Sequence, residues 1–452
     1  METKSILVKG GTLLTFRDDK FICEESDILV EGDKIAVIAK NIAHSGTDIE
    51  IDAAGMIVMP GFIDTHRHLW ETAFKGMAGN WTLMEYLNIM LGKVAPALTP
   101  QDVYIGNLLG ALEALNSGIT AVFDWSHIMN TPEHTEAAIK GLKDSGIRGK
   151  FGYGTPGTSV WEWFYESKLR HPSEAVNVRK KYFNSEDDLL TMALAIRGPE
   201  YSELEVAKHD ILMGRELGIQ ISMHIGGGIF GPKYNGIQKL QNEKLLGPDL
   251  NFAHANTLDE NDFSLLAYHD CSISITPEVE LQMGLGLPVT GKVLSQGIKC
   301  GLGVDVVSAT SGNMFDQMKV ALQAERAKQN EKLYREGRMP NKLAITDTDI
   351  FKMSTIGGAK VLGLEHKTGS LEPGKQADII LVNPKSIALS PSSNLLSTAV
   401  LYAKEQDVDT VIVAGKPVKR HGKLLEFDTG DLVYKARNSA EKVLTQINTN
   451  CC

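Results

Sequence analysis

Met59-Pro60-Gly61-Phe62-Ile63-Asp64-Thr65-His66-Arg67-His68 is the stretch that decides how this chain is read. It predicts an apolar strand over residues 56–63 that runs out into two histidines separated by one residue. Side chains alternate faces along a strand, so His66 and His68 point the same way and Arg67 points away. Two imidazoles on one face of a strand's end can grip one metal ion. The plain alternative is a pair of surface histidines. The apolar lead-in and the Pro-Gly punctuation make the pattern more specific than a bare pair of histidines.

Downstream, from Ile63 to about Leu364, short strands alternate with amphipathic helices. Apolar residues at helical spacing predict helices over 103–116, 136–144 and 203–217. Strands are predicted over 119–124, 149–154, 219–224, 250–254, 272–276 and 299–305. A strand-then-helix chain of this length is α/β and predicts a (β/α)8 barrel. An open doubly wound sheet is the runner-up, but no G-x-G-x-x-G follows the first strand. Both flanks read as β-structure instead. Residues 5–58 hold short strands, with a turn at Gly10-Gly11, and 377–382 and 410–418 hold further strands after a turn at 369–375. Each flank is incomplete alone, so the two are expected to pair into one small sandwich. The expected division is 1–58 and 366–452 for the two parts of that sandwich, the latter with a tail, and 59–365 for the barrel.

A chain of 452 residues has room for a large domain beside a small one. Its 43% hydrophobic and 23% charged residues are those of a globular protein. The net charge is −10 and no basic cluster tracks a phosphate backbone, so nucleic acid is not an expected partner. No apolar run is long enough to cross a bilayer, and the first residues form no signal-peptide core, so no membrane partner is expected. The five cysteines are scattered, with no C-x-x-C, which fits a reducing cytoplasm. The final pair, Cys451-Cys452, reads as a disordered tail without a C-a-a-X box.

Three later strands end in groups of the same chemistry. His224 closes 219–223, His254 closes 251–253, and Asp305 closes 301–304. In a barrel the C-terminal strand ends meet at one mouth, so these residues can share a centre with His66 and His68. Taken singly, each strand-end histidine has a plainer reading as a satisfied polar residue, and Asp305 as a helix cap. Taken together, they are hard to obtain by accident.

These marks resemble the amidohydrolase superfamily, in its cytosine-deaminase and triazine-hydrolase branch. The resemblance spans nearly the whole chain. It rests on Pro60 to His68, His224, His254, Gly303-Val304-Asp305, Thr355-Ile356-Gly357-Gly358-Ala359-Lys360, and Gly369 to Asp378 in Gly-Ser-Leu-Glu-Pro-Gly-Lys-Gln-Ala-Asp. It implies a metal-dependent hydrolase in which His66, His68, His224 and Asp305 bind one divalent metal ion. Zn²⁺ comes first, with Fe²⁺ or Mn²⁺ as alternatives. It implies that His254 bonds the metal's water or the substrate, and that Asp305 also accepts the water's proton. No lysine stands where binuclear members carry a bridging one, which favours a single ion. A homodimer or higher homo-oligomer acting on a small molecule is the implied state.

One position departs from the pattern. Deaminases of this branch carry a glutamate three residues after the strand-end histidine, where it shuttles a proton to a ring nitrogen; here that position is Gly227. Candidate replacements are Glu278 and Glu280, which share a face if 276–280 is extended, and Glu71 just past His68. His127, and Trp70 with Trp81 in the loop after the first strand, are candidates for holding substrate. The aromatic segment 160–165 reads as a barrel loop, either lining the mouth or forming loop core or a subunit contact. The expected reaction is attack of metal-activated water on an sp² carbon of a small nitrogen heterocycle or amide, with C–N cleavage. The alternatives are a dehalogenase, lyase or cyclase on the same scaffold, and a silent binding subunit.

Overall fold

The computed structural model describes residues 5–43 and 46–448. The first few residues and the Cys451-Cys452 pair lie outside the described residues. Eight parallel strands in sequential order build the central sheet: β1 (Phe62–Arg67), β2 (Ile119–Ser126), β3 (Arg148–Tyr153), β4 (Leu190–Ile196), β5 (Gln220–Ile225), β6 (Leu250–His254), β7 (Ser272–Ile275) and β8 (Lys299–Leu302). Their residues are almost all buried, as parallel strands covered on both faces require. The ring closes between β1 and the segment after β8, where the Asp305 N–H donates to the His66 carbonyl at 2.8 Å and the His68 N–H to the Asp305 carbonyl at 3.1 Å. This is the expected TIM barrel.

The opening stretch divides in two. Ile57–Pro60 belongs to the second sheet, and β1 begins at Phe62. Gly61 makes the transfer, and only glycine fits there, because an added Cβ would stand 2.0 Å from Thr120 Oγ1. The single strand expected over 56–63 is therefore two strands in different sheets.

Among the described residues the second sheet has nine strands drawn from both flanks. Ile57–Pro60 is its junction, pairing in parallel with Ser5–Arg17 and antiparallel with Ile379–Val382. The Ile35 N–H donates to the Lys375 carbonyl and the Gly374 N–H to the Ile35 carbonyl, both at 2.8 Å, tying the far edge back onto the C-terminal flank. The sheet thus encloses a core of its own, including Ile6, Val30, Ile379 and Leu381. At Gly10-Gly11 the structure has no turn; Ser5–Arg17 runs through with a bulge between Val8 and Gly11. The last helix, Thr429–Gln446, returns to the barrel side, where the Ser439 hydroxyl donates to Asp102 at 2.7 Å.

Candidate active site

The C-terminal ends of β1, β5 and β6 and the turn after β8 bring His66, His68, His224, His254 and Asp305 together. Two groups of potential ligand atoms lie within 4.8 Å of one another, His66–His224–His254 and His66–His68–Asp305, with His66 common to both. The His66 and His224 Nε2 atoms are 3.2 Å apart, and Asp305 Oδ1 lies 3.3 Å from His66 Nε2 and 3.1 Å from His68 Nε2. His68 Nδ1 donates to the Trp125 carbonyl at 2.7 Å, so in the neutral ring the lone pair sits on Nε2, facing Asp305. Arg67 points away, as alternation requires, and donates to Glu113 and to the Gly312 carbonyl.

Electrostatics prepare these groups for a cation. Burial lowers His66 to about 4 and His224 well below the ordinary imidazole value, which leaves both neutral with lone pairs available. Burial would raise Asp305, but the surrounding histidines override it and hold the carboxyl well below its usual range. Burial would lower His68 as well, but its hydrogen bond to Asp305 raises it. A buried carboxylate beside the neutral His66 and His224 is a donor set that fits a divalent ion. His254 and Asp305 both have left-handed backbones, with φ of +80° and +66°, which non-glycine residues adopt at a cost.

The centre forms the floor of a pocket at the mouth of the barrel. His68, His127, His224, Gly227, His254 and Asp305 line it. The His127 ring stacks on His68 with centroids 4.2 Å apart. Trp70 is buried behind His127 and donates to its Nδ1 at 3.0 Å, so it orients that ring and does not line the pocket. Glu71 is also buried outside the lining; it accepts from Tyr86 at 2.5 Å and from Ser308 at 2.8 Å.

The two later glutamates part company. Pro277–Gln282 is a helix, so Glu278 and Glu280 do not share a strand face. Glu278 turns outward to Ser311 and Gln317, at 2.8 and 2.7 Å. Glu280 turns inward, fully buried, accepts from the Thr276 N–H at 2.9 Å and lies 3.5 Å from His254 Nδ1. Thr276, not singled out in the sequence, sits 3.1 Å from His254 Nδ1 and 3.5 Å from Asp305 Oδ2. Residues 160–164 form a short helix whose Phe164 lines the pocket, while Trp161 stays exposed. Tyr86 and Leu83, Leu87 and Leu91 line it as well and had no distinguishing motif.

The family model described as "Amidohydrolase family" matches residues 57–418. The chain belongs to this family. It is a metal-dependent hydrolase of carbon–nitrogen bonds other than peptide bonds, acting on a small molecule. Among its relatives, the 5'-deoxyadenosine deaminase of Methanobrevibacter smithii is 29% identical, with 98% of this chain and 99% of that protein covered. The 5-methylthioadenosine/S-adenosylhomocysteine deaminase of Pyrococcus horikoshii is 28% identical over 95% of this chain and 98% of its own length. Solved structures of the same fold include an adenosine deaminase from Xanthomonas campestris with bound zinc, with TM-score 0.84, 20% identity and 98% and 99% of the two chains covered. Atrazine chlorohydrolase from Arthrobacter aurescens TC1 complexed with zinc aligns with TM-score 0.83, 22% identity and 97% and 100% coverage.

Proposed function

We propose that this amidohydrolase binds one Zn²⁺ through His66, His68, His224 and Asp305 and removes an exocyclic nitrogen from an aminated nitrogen heteroaromatic ring. The first ring to test is 6-aminopurine, which the names of the two curated relatives support. The observation that carries the reading is the convergence of three strand-end histidines and Asp305 on the floor of one closed-in pocket. No lysine is among the described residues that line the pocket, which supports a single ion. When bound, the ion supplies Lewis acidity and a water of lowered pKa.

The chain's own residues do the rest. Asp305 takes the proton released as the water attacks and delivers it to the departing nitrogen. His254, set by Thr276 and Glu280 on its Nδ1 side, presents its Nε2 toward Asp305 Oδ2, 3.9 Å away. That places it to hydrogen-bond the oxygen that adds to the ring. Glu280, buried and backing His254, is the candidate to replace the missing glutamate by passing a proton through that imidazole.

Gly227 favours a second reading, in which the leaving group departs without being protonated, as a halide does. The test is incubation of the zinc-loaded protein with 6-aminopurine and 6-chloropurine nucleosides in ¹⁸O-water. Ammonia release with ¹⁸O in the product is the expected result. Chloride release from the one with no ammonia from the other would favour the second reading, and a changed product without ¹⁸O would overturn hydrolysis.

A further inference from the structure

Opposite its polar floor the pocket is walled by leucines and aromatics drawn from separate loops. Leu83, Leu87 and Leu91 recur every fourth residue along the helical segments after β1, which puts them on one face toward the pocket. Phe164 comes from the loop after β3, and Leu285 from the loop after β7. Gly227 adds no polar group, and a Cβ there would meet only Leu285, at 3.7 Å.

The polar groups that line this wall are engaged; the buried Arg197 guanidinium, with Nε and Nη1 unpartnered, lies 3.7 Å from the Phe164 ring centroid and outside the lining. The Tyr86 hydroxyl donates to Glu71, and His127 accepts from Trp70 at Nδ1. Among the described residues no carboxylate apart from Asp305 lines the pocket, and the Tyr201 phenol is the remaining hydroxyl on that side. Met84, Trp161, Ile229 and Leu287 each lie within three residues of a lining residue in sequence and are 44–74% exposed. Exposed apolar side chains on the segments that line a pocket suit a substituent that extends past it.

We propose that the substrate is a heteroaromatic ring bearing a bulky apolar substituent — an alkyl, aryl or thioether group — that lies along the Leu87–Phe164–Leu285 wall and reaches the rim. The ring faces the histidines and Asp305, and the substituent displaces water from the wall. A polyhydroxylated sugar in that position would surrender its hydrogen bonds to water without replacing them, which discriminates against it. The inference rests on the proposed site of hydrolysis only for which end of the substrate faces the floor.

The test is a series of 9-alkyl-6-aminopurines, methyl to hexyl, with adenosine and 5'-deoxyadenosine as polar comparators. Binding to the zinc-loaded protein is measured by calorimetry and ammonia release by rate. Kd should fall about fourfold per methylene, the figure for a fully buried CH₂, and adenosine should bind at least tenfold more weakly than 9-propyl-6-aminopurine. The exposed-site variant Trp161→Ala/Ile229→Ser should fold normally and flatten the series at its long end. A Kd independent of chain length, or adenosine as the tightest ligand, would overturn the proposal. So would a double variant that loses self-association while keeping the full chain-length slope, because the rim would then serve a second copy of the chain. Alkylpurines that bind with the expected slope yet release no ammonia would sink the deamination reading and leave this one standing.

Discussion

Asp305 is joined to His66 twice: its backbone N–H donates to the His66 carbonyl at 2.8 Å, and its carboxylate lies 3.3 Å from the same residue's Nε2. The first contact closes the barrel and the second belongs to the proposed metal site. One residue therefore joins the seam of the fold to that site, from a left-handed backbone with φ of +66°.

Because the backbone and side chain of Asp305 do separate work, they separate experimentally. Asp305→Ala keeps the seam hydrogen bonds and loses the carboxylate. It should fold with unchanged circular dichroism, hold well under one metal ion per chain, and lose about 10³-fold or more in turnover. Normal turnover in this variant would remove Asp305 from the chemistry.

The seam also explains why Gly303 bears no side chain. A Cβ there would stand 2.8 Å from the His66 carbonyl and 3.0 Å from the His66 Cβ, against the strand that holds the proposed ligands His66 and His68. Gly303→Ala should cost about 1–3 kcal/mol in urea unfolding and weaken metal binding as well. Gly227→Ala, with its nearest neighbour at 3.7 Å, should cost little in either measurement and serves as the control.

Much of this was legible in the sequence, and the failures have identifiable causes. Strand-end His66, His68, His224, His254 and Asp305 could be read because a parallel barrel gathers strand ends at one mouth whatever their separation in the chain. The split at Gly61 could not, since one apolar run does not say which sheet each half joins, and the steric reason lies on Thr120, in β2. The helix holding Glu278 and Glu280 has a sign in Pro277, a favoured first helical residue. The Leu83–Leu87–Leu91 stripe was visible as a spacing, but the same spacing serves any core helix. That Trp70 backs His127, and does not itself line the pocket, depends on a contact between two loops and has no local signature.

Glu280 gives a sharper test of proton handling. Glu280→Gln keeps a side-chain oxygen to accept from the Thr276 N–H but removes the charge beside His254. If Glu280 works through His254, turnover should fall about 10²-fold or more, with metal content retained and the pH profile of kcat altered. A variant with lower stability but an unchanged pH profile would assign Glu280 a purely structural role.

The barrel and the second sheet are locked by a buried ion pair. Arg148, in β3, donates from Nε and Nη2 to the Asp378 carboxylate at 2.7 and 2.9 Å, and Asp378 also accepts from the Ala414 N–H at 2.7 Å. Removing one partner strands a buried charge, so Asp378→Ala should destabilise the protein by about 3–5 kcal/mol. Metal affinity should be unaffected, since Asp378 lies outside the centre. Equal stability to the parent in chemical denaturation would show that the bond is dispensable.

Glu200 ties stability to pH. Its carboxyl is buried, accepts from the Gly226 N–H at 2.9 Å, and is pushed up to about 8 by burial. The folded chain thus holds a proton that the unfolded chain releases near the ordinary value of about 4.5. A folded-state pKa above the unfolded one contributes stability that is fully present below about 4.5 and is lost as pH rises through about 8. The size of the effect is on the order of a few kcal/mol. Glu200→Gln keeps an oxygen for the Gly226 N–H and cannot ionise, so its stability should stay flatter across that window. Urea unfolding of both proteins from pH 5 to pH 9 measures the difference. Curves that run parallel throughout would show that Glu200 does not titrate inside the fold in this range.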